Sequence, residues 1–283
     1  MKNCKITIVA PEKIGTIAPE LYGHFAEHIG GVIYDGLWVG KDSKISNING
    51  FRKDIVEKLR AIQPSVIRWP GGCYAEVYNW RDGIGKERPV RPSWWRHLDG
   101  STENNQVGTH EFVEFCELVK AKPYFAVNVT SMTPMDARDW MDYCLSPRGT
   151  TTLARERETN GHPEPFDIPY WGVGNENWGG GGNMTADYYA LTYRQFATVL
   201  KNVGGKKTAL IAGGGTFHNY SWARDFVDNI AGSVEFGTFA PINGLSFHYY
   251  CGSKDDGMNF SEEKWDELIR SAGRMEEYIR RHF

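Results

Sequence analysis

The chain has 283 residues, 41% of them hydrophobic, 13% aromatic and 24% charged, which is ordinary for a folded globular protein of one large or two small domains. A formal net charge of -3, with lysine and arginine in short pairs at most, gives no electrostatic reason to expect a nucleic acid or an anionic membrane as partner. No apolar run approaches the roughly 18–20 residues a membrane helix needs, so no spanning segment is expected.

The N-terminal stretch alternates Ile6, Ile8 and Ala10 with Lys5, Thr7 and Val9 and lacks the long apolar core of a secretory signal. It predicts a strand over 4–10, within an N-terminal segment 1–18. Cysteines at 4, 73, 116, 144 and 251 have neither CxxC spacing nor the pattern of a disulfide framework, which fits a reducing cytoplasm.

From there, β-rich runs at 21–30, 65–72, 123–131, 169–177, 208–215 and 242–250 alternate with segments of helical period. Ile55, Leu59 and Ile62 share one predicted helix face; Phe112, Phe115, Cys116 and Val119 share the next. Tyr189, Tyr193, Phe196 and Leu200 mark another, and Trp222, Phe226 and Ile230 one more. Strands alternating with helices predict a parallel sheet. An open doubly wound sheet would carry a glycine-rich phosphate turn after its first strand, and "EHIGGVIYDG" is too bulky for one. A (β/α)8 barrel instead places polar residues at the C-terminal ends of several strands. Glu27 and His28, Arg68, Asn128, Asn175 and Glu176, and His248 and Tyr250 fit that pattern. The predicted fold is therefore an α/β (β/α)8 TIM barrel, incomplete in this chain, with residues 19–283 supplying strands 1–6. Residues 261–283 then predict one amphipathic helix with Trp265, Leu268, Ile269, Ala272, Met275, Tyr278 and Ile279 on its apolar face.

"YWGVGNENWGGGG" puts Glu176 at the tip of the fourth strand, beside Trp171 and Trp178. Partial desolvation there is expected to raise its pKa, as suits a general acid. Asn175 is expected to bond a substrate hydroxyl, and glycines 179–182 to let a loop approach a ligand closely. A structural glutamate with a helix-capping loop is the bland alternative; a phosphate loop is weaker, since no GK[ST] follows. No His/Cys/Asp cluster has metal-ligand spacing and no Ser-His-Asp order is evident, so no cofactor and no metal are expected.

"LYGHFAEHIGGVIYDGLW", "IRWPGGCYAEVYNWRDGIG", "YWGVGNENWGGG" and "LSFHYY", taken together over about 20–250, resemble the glycoside hydrolase family 51 α-L-arabinofuranosidases. That clan's barrels carry an acid/base on strand 4 and a nucleophile on strand 7. The resemblance implies Glu176 as the catalytic acid/base, with Glu27, Asn175, Arg68, Cys73, His248 and Tyr250 as substrate-binding residues. Within that set Asn175 would bind the sugar 2-hydroxyl, Glu27 would bond the arabinofuranose, Arg68 would order the carboxylates, and His248 and Tyr250 would lie near the nucleophile. Many relatives have asparagine where Cys73 stands. On residues alone, Arg68 could pair with any carboxylate and His248 could be a core histidine. Trp38, Trp80, Trp94 and Trp95 could line a sugar cleft or pack the core.

The implied activity is retaining hydrolysis that releases terminal non-reducing α-L-arabinofuranosyl residues from arabinan- or arabinoxylan-type oligosaccharides, by two carboxyl groups about 5 Å apart. Glu262, Glu263, Glu267, Glu276 and Glu277 fall on a predicted solvated helix face, so the nucleophile is expected on a second polypeptide or continuation that carries strands 7 and 8. Residues 1–18 would join an accessory β-sandwich. Relatives suggest a homo-oligomer, often a hexamer. Two other readings stay open: another retaining glycosidase of the clan, acting on xylosides or glucans, and a non-catalytic sugar-binding remnant.

Overall fold

A computed structural model describes residues 5, 7–9, 11–95, 97, 100–205, 207–231, 240–252 and 257–282. Each apolar run of the sequence contributes a strand to one sheet: β1 (His24–Phe25), β2 (Val66–Trp69), β3 (Lys122–Val127), β4 (Tyr170–Val173), β5 (Ala209–Ala212) and β6 (Gly244–Leu245). All pairings are parallel and the strands lie in sequence order. A doubly wound sheet reverses direction at a switch point. This one does not, so it has the winding of a barrel, with β1 and β6 as its two edges among the described residues.

The eight helices of the described residues are α1 (Lys53–Ile62), α2 (Thr109–Val119), α3 (Pro134–Leu145), α4 (Thr152–Thr159), α5 (Ala186–Leu200), α6 (Trp222–Ala231), α7 (Glu262–Ala272) and α8 (Met275–His282). The predicted faces of α2, α5 and α6 are all buried. In α1 the buried position is Val56, while Ile62 is 60% exposed. The sequence reading passed over α3, whose start is well specified: Pro134 follows Thr133, whose hydroxyl accepts from Asp136 N at 3.2 Å while Asp136 accepts from Thr133 N at 2.8 Å.

Side chains alternate across the sheet as the period of two requires. Trp69, Phe125, Trp171 and Leu210 stand in register and are buried beneath the helices. Trp140 of α3 packs against Phe125 and Trp171 at 4.9 and 5.5 Å between ring centroids. Phe25, Arg68, Tyr124, Tyr170 and Ala209 form the neighbouring row on the other, concave face. There Arg68, Tyr124, Tyr170 and Ala209 are only half-buried and Phe25 is 51% exposed.

Three expectations need correction or limits. The strands are shorter than the predicted runs, so Asn128, Asn175, Glu176, His248 and Tyr250 lie in the loops just beyond them. Pairing ends where the chain must turn: Gly174 follows β4 at φ +86°, a conformation that favours glycine. The single helix predicted over 261–283 is two, because Gly273 closes α7 with its N–H on Ile269 O at 3.2 Å. Of its predicted apolar face only Tyr278 is buried, whereas Trp265, Ile269, Met275 and Ile279 are exposed. The predicted N-terminal strand over 4–10 lies partly outside the described residues; Lys5, Thr7, Ile8 and Val9 are exposed and outside the strands.

Candidate active site

Glu27, Arg68, Cys73, Asn175, Glu176, His248 and Tyr250, drawn from the ends of β1, β2, β4 and β6, line one cavity of about 440 Å³. Phe25, Ile29, Gly72, Trp95, Phe247 and Tyr249 complete it. The sequence-predicted residues are thus brought together. Asn128 is not among them: its side chain accepts from Thr130 N and Ser131 N and donates to Tyr78 O, which braces its own loop.

Glu176 is held by the β6 loop. His248 Nδ1 lies 2.8 Å from its Oε1 and Tyr250 OH donates to the same oxygen at 3.2 Å. His248 reaches this position because a single parallel bridge to Thr216 prolongs the β5–β6 pairing. The expected rise in the Glu176 pKa is corrected here. The His248 hydrogen bond, opposed by burial, holds the carboxyl below its usual range. The two tryptophans meant to desolvate it do not face the cavity: Trp171 is in the sheet–helix layer and Trp178 donates to Gly214 O at 3.0 Å. None of glycines 179–182 lines the cavity, although Gly180 lies against Cys73 of its wall, where an added Cβ would come within 2.7 Å of Sγ. Gly179 and Gly181 donate their N–H groups to the Glu176 carbonyl at 2.8 and 2.9 Å, so the loop braces the main chain of Glu176.

Asn175 is clamped at two of its groups. Its Oδ1 accepts from Arg68 at 2.7 Å and its main-chain N–H donates to Glu76 at 2.7 Å, while Nδ2 is buried and unpartnered among the described residues. A buried donor without an acceptor is costly, and this one belongs to a residue of the cavity wall. Arg68, whose guanidinium also lies 5.0 Å from the Phe25 ring, bonds Asn175 rather than either carboxylate; it lowers the pKa of both Glu27 and Glu176 through space.

Glu27 sits beneath the "PGG" turn and accepts from Tyr74 N at 3.0 Å. The turn passes so close that a Cβ on Gly71 would lie 2.5 Å from Glu27 Cγ. Burial raises the Glu27 pKa, opposed by the Tyr74 and Gly72 backbone bonds. The adjoining His28 anchors it. Trp69 Nε1 can only donate, and it meets His28 Nε2 at 2.9 Å, so the imidazole is the Nδ1–H tautomer and donates to buried Glu103 at 2.7 Å. Tyr34 also donates to Glu103. Burial and then the charge of Glu176 push the Cys73 thiol up to about 11, which favours the neutral form.

The tryptophans divide. Trp38 and Trp80 are core, Trp94 packs against the core, and Trp95 lines the cavity with its indole N–H buried and unpartnered among the described residues. Two features escaped the sequence reading. Glu76 is wholly buried and joins three strand-end loops; a charged residue set among Tyr74, Ala75, Val77 and Tyr78 was the available signal. Phe247 and Tyr249 were covered by the "SFHYY" motif but not singled out. Among the described residues no group of three or more His, Cys, Asp or Glu is placed to hold a metal ion, and no helix is long and apolar enough to cross a membrane. Cys73, Cys116, Cys144 and Cys251 are free thiols, and Cys4 lies outside the described residues.

Comparison with known proteins places this arrangement. A family profile described as the "Alpha-L-arabinofuranosidase 1 domain" matches residues 58–229. The "Intracellular exo-alpha-L-arabinofuranosidase" of Bacteroides ovatus is 37% identical over 290 residues, covering 99% of this chain and 54% of the relative. "Alpha-L-arabinofuranosidase C" of Emericella nidulans is 40% identical over 202 residues, 69% of this chain and 39% of the relative. Among solved structures, the family 51 arabinofuranosidase of Xanthomonas axonopodis pv. citri superposes with a TM-score of 0.85 at 39% identity, over 94% of this chain and 53% of that one. The α-L-arabinofuranosidase of Thermotoga maritima, solved as an arabinose complex, gives 0.72 at 37%, over 83% and 46%. The chain spans about half the length of the curated relatives it matches.

Proposed function

This chain belongs to the α-L-arabinofuranosidases of glycoside hydrolase family 51, and from that premise we propose that it supplies the acid/base half of a retaining arabinofuranosidase. The enzyme releases terminal non-reducing α-L-arabinofuranosyl residues from arabinan- or arabinoxylan-type oligosaccharides. One observation carries the reading: Glu176 faces the cavity with its Oε1 fixed by His248 and Tyr250, beside the unspent Asn175 amide and the buried Glu27.

In the first step a carboxylate attacks the anomeric carbon while Glu176 gives its proton to the departing oxygen; in the second, ionised Glu176 takes a proton from the water that frees the sugar. The low pKa of Glu176 suits the base of that second step. An anionic nucleophile across the cavity would lift it toward the acid needed in the first. Glu27 and Asn175 bind sugar hydroxyls, Arg68 fixes Asn175, and Cys73 packs beside the ring as a neutral thiol. The nucleophile is assigned to residues outside this sequence, on a continuation or second polypeptide bearing strands 7 and 8. Residues 1–18 are assigned to an accessory β-sandwich. A homo-oligomer and a reducing intracellular compartment complete the proposal, the latter supported by the name of the Bacteroides relative.

The test uses the complete protein that carries this sequence, with aryl α-L-arabinofuranoside, β-xyloside and β-glucoside substrates and NMR of the anomer first released. Arabinofuranoside turnover with retained configuration is expected. Preference for xyloside or glucoside, an inverted product, or sugar binding without turnover would each overturn it.

A further inference from the structure

We propose that Glu76 is the positioning residue of the acid-bearing loop, an assignment that rests on Glu176 being the acid/base. Glu76 ends a short 3-10 turn, Cys73–Glu76, that follows β2, and no part of it is exposed. A buried carboxylate is tolerated only when donors surround it. Five do. Oε1 accepts from Asn175 N at 2.7 Å and Asn177 Nδ2 at 3.3 Å; Oε2 accepts from Val129 N at 2.9 Å, Thr130 N at 3.1 Å and Thr130 Oγ1 at 3.0 Å.

These partners lie in the loops after β3 and β4, so one side chain ties three successive strand ends together. Two of them, Asn175 and Asn177, flank Glu176 in the chain. The residue between two pinned neighbours has little freedom to shift. Arg68 holds the Asn175 side chain while Glu76 holds its main chain, which leaves Nδ2 as that residue's one unspent donor. A residue that merely filled space would not need its two oxygens divided between the two loops. Glu76 does not line the cavity, so it acts through Asn175 and Glu176 rather than on the sugar.

Glu76→Gln conserves volume but replaces one accepting oxygen with an NH2 that confronts N–H donors, and so frees one of the two loops. In the complete protein, kcat/KM for an alkyl arabinofuranoside should fall by about 10²-fold, the cost of displacing a catalytic group by about an ångström. With a 2,4-dinitrophenyl leaving group, which needs little protonation, the fall should be only a few-fold. Equal falls on both substrates would overturn the proposal, because loss of folded enzyme lowers every substrate alike. Thr130→Val removes one donor at an exposed position and should steepen the leaving-group dependence in the same direction by a smaller factor. If Glu76→Gln does not fold, an unchanged dependence in Thr130→Val overturns the proposal. Glu176→Gln run beside them separates the two claims: if it shows no leaving-group dependence, the acid assignment itself fails; if it does and Glu76→Gln does not, only the positioning role fails.

Discussion

His248 and Glu176 meet at 2.8 Å, imidazole Nδ1 to carboxyl Oε1, and this contact is the largest influence on the protonation of the proposed acid. Hydrolysis from free enzyme needs Glu176 protonated, so kcat/KM declines as pH rises through its pKa. His248→Ala deletes the bond that lowers this pKa. The alkaline limb of the kcat/KM profile should therefore move to higher pH, alongside a lower maximal rate. A limb that stays in place or moves down would remove His248 from control of the acid.

Glu176→Gln leaves the cavity's shape and deletes its proton. Poor leaving groups should slow by roughly 10²–10⁴-fold, the scale of general acid catalysis, and activated aryl arabinofuranosides by less. Azide should restore turnover of an activated substrate, because an anionic nucleophile needs no base. The substrate series and the azide dependence are both read in steady state; uniform losses would make Glu176 a binding residue.

Glu27 is the second carboxyl of the cavity and is raised by burial where Glu176 is lowered. A sugar-binding role predicts that Glu27→Ala loses kcat/KM without recovery in azide. Recovery would identify it as a covalent or proton-transferring group.

His110 offers a pH prediction away from the site. Burial, aided by His162, Arg88 and Arg157, pushes its pKa down from 6.5 to about 4, while its ring lies 2.6 Å from Tyr143 OH. A folded pKa below the unfolded one means the contribution is whole above about 6.5 and is lost as pH falls toward 4. Across that window the unfolding midpoint should drop faster in the natural protein than in His110→Gln, which cannot titrate. Parallel curves would refute it.

The fold and most of the cavity were legible in the sequence because barrel geometry puts chemistry just beyond strand ends, and short apolar runs ending in Glu27, Arg68, Asn175 or His248 expose that periodicity. Strand lengths were not, since pairing stops at a turn such as Gly174 that hydrophobicity does not encode. The protonation of Glu176 was misjudged because its controlling partner, His248, lies 72 residues away. The tryptophans nearest in sequence, Trp171 and Trp178, do not line the cavity. Glu76 was passed over for a related reason: its donors sit 53 to 101 residues downstream, and only the folded chain shows five of them converging.

The sequential strand order also bears on how the site comes into being. Every strand of the sheet pairs with the one made just before it, so the sheet can lengthen one strand–helix unit at a time as the chain emerges, without waiting for a distant partner. Glu76 spans several of those units, joining the turn after β2 to the loops after β3 and β4. Until β4 and its loop are in place, its carboxylate lacks the Asn175 and Asn177 donors and is better left in water, so burial of the "CYAE" turn is coupled to completion of the fourth unit. Ordering of the loop that bears Glu176 is thereby coupled to burial of that turn, and not to strand pairing alone.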